Sequence, residues 1–138
     1  MTMPGPGPLV IDTHTTVWYL QQDPLLSQRA EAQIDRALGN GHPVYVSSIS
    51  VVELVYLIDK GKIPAVVAER VSQVLRDPSS GFRLAALDLD VAEGTRRIPR
   101  EAVPDLPDRV IAATALALGT PLVTRDGKIQ ASGIQTVW

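Results

Sequence analysis

The chain has 138 residues, the size of one domain, and its 45% hydrophobic and 20% charged residues exclude an intrinsically disordered protein. There are no cysteines, which excludes disulfides, thiolate metal sites and cysteine nucleophiles and fits a reducing, cytoplasmic location. The net charge is −2, from 13 basic and 15 acidic side chains, so there is no overall basic surface for nucleic acid.

The first seven residues, MTMPGPG, are rich in proline and glycine and predict a disordered lead-in. They have no basic end and no apolar stretch, so they do not resemble a secretory signal. No apolar run in the chain reaches the roughly 18 residues of a membrane helix. We therefore expect a single domain over residues 8–138 that does not associate with a membrane.

Short apolar segments alternate with longer segments of helical pattern. In chain order we predict a strand at 8–12, helices at 15–22 and 27–38, a strand at 44–46, helices at 48–60 and 64–76, a strand at 82–87, a helix from residue 90, a helix at 107–118, and strands at 121–124 and 134–138. This alternation predicts an α/β fold of three layers, α/β/α, with a short, mainly parallel central sheet.

Five carboxylates interrupt the most apolar parts of the chain. Asp12 ends the first predicted strand, and Asp126 follows the fourth with one residue between. Asp105 and Asp108 bracket the start of the last predicted helix, and Glu53 lies inside an apolar helix. Since ligands of open parallel sheets bind at the carboxyl ends of the strands, we expect these acids to lie near one edge.

Each acid also has a local structural explanation. Asp12 and Asp105 suit the N-cap position of the helices that follow them. Asp108 is a first-turn acid favoured by the helix dipole, and Asp126 with the glycine after it is typical of a plain turn.

Glu53 has two such explanations. It completes a capping box if Ser50 is the N-cap of its helix, because the two are three residues apart. Alternatively, it lies on an exposed stripe with Ser50 and Lys60 at helical spacing.

Local roles account for each acid singly but not for their meeting at one edge of the sheet. Carboxylates held close together repel one another unless something neutralises them, and a divalent cation does so. An oxygen-only donor set, with no cysteine and no histidine cluster, favours Mg²⁺ or Mn²⁺ over zinc.

Four short segments carry these acids: VIDTH at 10–14, VSSISVVEL at 46–54, DLPDRVIAATA at 105–115 and PLVTRD at 121–126. In this order and context the chain resembles the PIN domain, and specifically the VapC-type toxins of bacterial and archaeal toxin–antitoxin pairs. The resemblance extends from Leu9 to Trp138. Many members carry a histidine before the first Asp of the third segment, where this chain has Pro104.

The resemblance implies a PIN fold and an Mg²⁺- or Mn²⁺-dependent endoribonuclease. The residues that match the family's catalytic and metal-ligating acids are Asp12, Glu53, Asp108 and Asp126. Asp105 would be an additional acid at the metal site. Thr124 would orient the carboxylates through hydrogen bonds, and Ser50 would support the site from the serine-rich segment before Glu53. The resemblance also implies an RNA substrate, a small antitoxin partner and a homodimer.

Five arginines are candidates for contacts with RNA phosphates: Arg109, Arg125, Arg96, Arg97 and Arg100. The first two adjoin proposed metal ligands, and simple charge balance with the neighbouring Asp is the alternative. The last three form a basic cluster, which also suits a solvated helix end.

The histidines and aromatic residues give weaker indications of function than the acids do. His14, two residues after Asp12, would either approach the substrate or act as a packed or surface histidine. No second histidine lies near a motif, which disfavours a histidine acid–base pair. Aromatic residues make up only 4% of the chain, which disfavours sequence reading by stacking on a platform of rings.

Two rival functions follow from the same residues. One is a PIN-like binding module without catalytic activity. The other is a haloacid-dehalogenase-like phosphatase with Asp12 as nucleophile, although such enzymes need a second Asp two residues later, where this chain has His14.

Overall fold

A computed structural model describes residues 7–138, so the predicted lead-in lies outside the described residues except for Gly7. Strands and helices alternate along the described part of the chain. In order they are β1 (Leu9–Ile11), α1 (Thr13–Gln21), α2 (Gln28–Gly39), β2 (Val44–Ser47), α3 (Ser48–Asp59), α4 (Ala65–Arg76), β3 (Phe82–Ala85), α5 (Leu89–Gly94), α6 (Leu106–Leu118), β4 (Leu122–Val123), α7 (Gly127–Gln130) and β5 (Thr136–Val137), with a 3₁₀ turn at Thr95–Arg97.

The five strands form one sheet in the order β3-β2-β1-β4-β5, and every neighbouring pair is parallel. The chain builds outward from β1 in one direction and then in the other. The order therefore switches between β1 and β4, and the carboxyl ends of these two strands flank a crevice where ligands bind in folds of this type. Asp12 follows β1, and Thr124 follows β4.

The core lies on both faces of the sheet, as the side chains of β1 illustrate. Leu9 and Ile11 pack into one cluster with Ile34 of α2, while Val10 between them packs into a second cluster with Ile111 of α6. Because successive strand residues point to opposite faces, a strand covered on both sides is apolar throughout. The predicted three-layer α/β/α architecture is confirmed.

Several predicted boundaries were wrong. Helix α1 begins at Thr13 instead of residue 15, and α5 begins after the N-cap Asp88 instead of at Asp90. The strand predicted at 82–87 ends at Ala85, and α7 was not predicted at all. Within residues 7–138, no helix combines the length and the apolarity needed to cross a membrane.

Candidate metal-dependent active site

All five predicted acids line a single cavity of about 370 Å³. The acids are Asp12, Glu53, Asp105, Asp108 and Asp126. They come from the ends of β1 and β4, from α3 and from the start of α6, so segments far apart in the chain contribute to one site. The structure thus brings the acids together at the switch point of the sheet.

Asp12 is only 9% exposed, and both of its carboxylate oxygens are held. Oδ1 accepts a hydrogen bond from the backbone N–H of Thr15 at 2.9 Å, so Asp12 is the N-cap of α1. Oδ2 accepts from the hydroxyl of Thr124 at 2.5 Å. The cap and the site position are therefore compatible, since the cap fixes the direction in which the carboxylate points.

Thr124 connects two of the acids. Its buried hydroxyl donates to Asp12 and accepts from the backbone N–H of Asp126 at 3.0 Å. Asp126 Oδ1 in turn accepts from the backbone N–H groups of Lys128 at 2.8 Å and Ile129 at 3.2 Å. Asp126 is thus the N-cap of the short helix α7, and the alternative of a plain turn was wrong.

Both local explanations for Glu53 were wrong. The N-cap of α3 is Ser47, whose hydroxyl accepts from the N–H of Ile49 at 3.2 Å, so Ser50 lies inside the helix and completes no capping box. Ser50 is also fully buried, which excludes an exposed stripe. Glu53 is half-buried, and its Oε1 accepts a hydrogen bond from the hydroxyl of Thr13 at 2.6 Å.

Thr13 is a site residue that the sequence reasoning missed. Its buried hydroxyl lies 2.6 Å from Glu53 Oε1 and 2.9 Å from Ser50 Oγ. When Thr13 donates to the carboxylate, its oxygen is free to accept the proton of Ser50. This chain of hydrogen bonds ties α1 to α3. No spacing rule relates residue 13 to residue 53, because the contact depends on how the two helices pack.

Asp108 experiences the strongest electrostatic effect in the site. Burial and then the charges of Asp105, Asp126 and Glu53 raise its pKa from 3.8 to about 7. Asp105 Oδ2 accepts a hydrogen bond from the N–H of Asp108 at 3.1 Å, so Asp105 is also the N-cap of α6. The pKa of Glu53 is raised by burial too, and the hydrogen bond from Thr13 partly offsets the rise.

The donors fit a hard divalent cation. The available ligands are carboxylate oxygens. Burial and then repulsion between the acids raise the pKa of Asp108, and a bound cation would relieve the repulsion. Among residues 7–138, no three acidic or histidine side chains form a ready-made set of direct ligands. The acids fit an ion that reaches part of them through water, as Mg²⁺ commonly does.

Of the five candidate arginines, Arg125 lines the cavity, and its guanidinium lies 4.9 Å from the centre of the Trp18 ring. Arg109 is half-buried outside the cavity lining, and its Nε has no hydrogen-bond partner among the described residues. The basic cluster is exposed and does not line this cavity; it consists of Arg96, Arg97 and Arg100.

Residues 9–133 match the sequence model of the PIN domain. The chain therefore belongs to the PIN domain family, and the expected family resemblance is confirmed. Membership of this family excludes the rival function of a haloacid-dehalogenase-like phosphatase.

Particular relatives include ribonuclease VapC22 from Mycobacterium tuberculosis, which is 27% identical over 122 residues, covering 88% of this chain and 89% of the relative. Among solved structures, VapBC2 from Rickettsia felis bound to a fragment of promoter DNA matches with a TM-score of 0.69 and 18% identity. DNA-bound VapBC from Salmonella typhimurium matches with a TM-score of 0.65 and 23% identity. Each match covers 94% of this chain and 96% of the other, and at these identities each supports the fold.

Proposed function

We propose that this protein is a metal-dependent endoribonuclease and the toxin of a toxin–antitoxin pair. The observation that carries the proposal is the convergence of five carboxylates in one cavity at the switch point, where burial and then the charges of neighbouring acids raise the pKa of Asp108 to about 7. Similarity to ribonuclease VapC22 along 88% of the chain supports the choice of RNA as substrate.

The acids that would hold an Mg²⁺ or Mn²⁺, directly or through water, are Asp12, Glu53, Asp108 and Asp126, with Asp105 beside them as an additional acid. The chemistry that such an ion supplies when bound is activation of a water as nucleophile and polarisation of the scissile phosphate. Thr124 and the N–H of Thr15 hold Asp12 in one orientation. Asp108 would have to lose its proton before it could serve as a ligand, because a protonated carboxyl is a poor ligand.

Glu53 has a second capacity. Its half-buried carboxylate is held by Thr13 through one oxygen, which leaves the other oxygen available to orient a water or accept its proton. The raised pKa of Glu53 suits a general base better than an ordinary exposed glutamate would. Glu53 is therefore either a ligand or the group that positions the attacking water.

The partner proposals come from the relatives. The Rickettsia and Salmonella structures are VapBC assemblies, and we infer from this similarity that this chain also binds a protein antitoxin. Such a partner would lay a helix in a groove and present a basic side chain to the acidic cavity. A homodimer, a cytoplasmic location and RNA contacts by the candidate arginines belong to the same proposal.

The test is cleavage of a mixed pool of structured RNA by the wild type and by Asp108→Asn. Each is assayed with Mg²⁺, with Mn²⁺ and with excess chelator, after circular dichroism has shown equal folding. Asp59→Asn is the matched control, because it makes the same change at an exposed residue outside the cavity. Cleavage by the wild type and the control alone, and only with metal, is the expected result.

Other outcomes decide against the proposal. Cleavage that resists chelator, or equal cleavage by Asp108→Asn, would contradict the acidic metal site. No cleavage by any of the three proteins would favour a PIN-like binding module without catalytic activity.

A further inference from the structure

Three of the eight residues that line the acidic cavity are not acids: His14, Trp18 and Arg125. The His14 ring lies 5.6 Å from the Trp18 ring at a tilt of 42°, and the Arg125 guanidinium lies 4.9 Å from the centre of the Trp18 ring. We call these three side chains the aromatic wall. The low aromatic content of the chain did not predict it.

Trp18 holds the wall in place. It is half-buried, it packs against two of the three core clusters, and its ring contacts the ring of Trp138 edge-on at 5.9 Å. His14 lies four residues before Trp18 on α1, so both side chains project from the same face of the helix. Both His14 and Arg125 are exposed, so each rests on Trp18 with surface left for a ligand.

The chemistry of the wall complements the acids. The carboxylates repel RNA phosphates, and Arg125 is the one lysine or arginine among the residues that line this cavity. Stacking on Trp18 restricts the guanidinium before any ligand arrives, which lowers the entropy lost when it binds a phosphate. The planar imidazole of His14 offers a face on which a base can stack.

We propose that the aromatic wall is the subsite that positions the nucleotide next to the scissile phosphate. Arg125 binds the flanking phosphate, His14 stacks on the base, and Trp18 holds both side chains in position. This inference rests on the proposed function and assigns positioning roles, since the acids carry out the chemistry.

The test measures binding separately from cleavage. A fluorescently labelled, single-stranded RNA of twelve nucleotides and random sequence is titrated with protein in Mg²⁺, and anisotropy gives the Kd at salt concentrations between about 50 and 200 mM. All proteins carry Asp108→Asn to prevent cleavage. Arg125→Gln and His14→Ala are compared with Arg29→Gln, which removes an exposed charge on α2 outside the cavity.

The two wall variants have different expected signatures. Arg125→Gln weakens binding about tenfold and makes the slope of log Kd against log salt shallower by about 0.7, the value for one phosphate contact on a single strand. His14→Ala weakens binding about fivefold or more and leaves the slope unchanged, because stacking releases no counterions. Arg29→Gln changes neither quantity.

Trp18 needs a pair of variants, because it also packs in the core. Trp18→Phe keeps a ring beneath His14 and Arg125 and retains the wild-type slope. Trp18→Leu keeps an apolar side chain but loses the stacking surface, and it gives the shallower slope of Arg125→Gln. A purely structural role for Trp18 would change stability and leave the slope of the folded fraction unaltered, contrary to the proposal.

The remaining outcomes separate this inference from the proposed function. If the parent protein fails to bind this RNA at the lowest salt, the inference is wrong, and the proposed function is decided by the cleavage test. If the parent binds but Arg125→Gln and His14→Ala match Arg29→Gln in Kd and slope, the inference alone is wrong.

Discussion

Thr124 shows how one hydroxyl connects fold and site. Its side chain is fully buried between Asp12 and Asp126, donating to the first and accepting from the backbone of the second. Thr124→Val keeps the shape but leaves a carboxylate oxygen and an N–H without this partner. We expect the free energy of unfolding to fall by about 1–3 kcal/mol. We also expect about 10–100-fold more metal to be needed for half-maximal cleavage, because an outer partner of the ligands is lost.

Urea unfolding and metal-dependent cleavage rates measure the two effects. Thr124→Ser is the control that restores the hydroxyl, and its metal requirement should lie within a few-fold of the wild type. If Thr124→Val were destabilised but needed no more metal than Thr124→Ser, Thr124 would support the fold without orienting the ligands.

Thr13 makes a second prediction at the residue scale. Its hydrogen bond to Glu53 favours the ionised carboxylate and lowers a pKa that burial raises. Thr13→Val removes this bond, so the pKa of Glu53 rises further and the acidic limb of the pH–rate profile moves to higher pH. Profiles of Thr13→Val and Thr13→Ser, measured at saturating metal, check the shift. Coinciding profiles would show that the bond has no influence on the reaction.

The acids of the site were predictable, whereas their partners were not. Asp12 and Asp126 follow strands, and a parallel topology brings such positions to one edge. Thr13 and Trp18 lie on α1, and their roles depend on how α1 packs beside α3 and against the end of β4. Contacts of that kind leave no periodic signal, since they arise from tertiary packing.

At the scale of the element, the start of α6 combines two functions in Asp105. This carboxylate caps the helix through the N–H of Asp108, and its charge contributes to the raised pKa of Asp108. Asp105→Asn keeps a good cap and removes the charge, whereas Asp105→Ala removes both. We expect Asp105→Ala to lower the free energy of unfolding by about 1 kcal/mol and Asp105→Asn to leave it unchanged or raise it. Urea unfolding of both variants without metal, above neutral pH, checks the difference.

The same two variants should shift the pH dependence of cleavage in the same direction, toward lower pH. Both substitutions remove a negative charge beside Asp108, so its pKa falls and metal binding extends to lower pH. A shift in Asp105→Ala alone would indicate disturbed helix geometry instead of lost charge.

The elements themselves were predicted unevenly for physical reasons. Strands β1 and β4 and helices α2 and α6 are apolar or amphipathic runs with clear boundaries, and their existence was correct. Helix α7 has only four residues and begins with glycine, so it carries neither periodicity nor helix propensity. It forms because Asp126 caps it and Ile129 is buried beneath it, which are consequences of the tertiary fold.

At the scale of the whole molecule, the sheet order determines that like charges must meet. Parallel pairing places Ile11 at the end of β1 opposite Val123 at the end of β4, so the residues that follow the two strands lie near each other. The acidic start of α6 lines the same cavity. The stability gained in the core therefore offsets an unfavourable concentration of charge at the cavity. A fold with this arrangement is expected to respond to metal and pH together.

The sign of that response follows from Asp108. An unfolded chain releases its proton near the ordinary pKa of 3.8, whereas the folded protein holds it until about pH 7. The folded state thus binds more protons between these values, and this group's contribution to the free energy of unfolding declines as pH rises from about 4 to 7. Mn²⁺ bound to the ionised carboxylates, as proposed above, would oppose the decline. We expect Mn²⁺ to raise the Tm more at about pH 8 than at about pH 6, where it competes with the proton.

Thermal unfolding in Mn²⁺ and in chelator at both pH values measures this difference in Tm. Asp108→Asn should lose most of the metal-induced shift, while Asp59→Asn keeps it. A Tm that Mn²⁺ leaves unchanged at both pH values would mean that the carboxylates are tolerated without a cation.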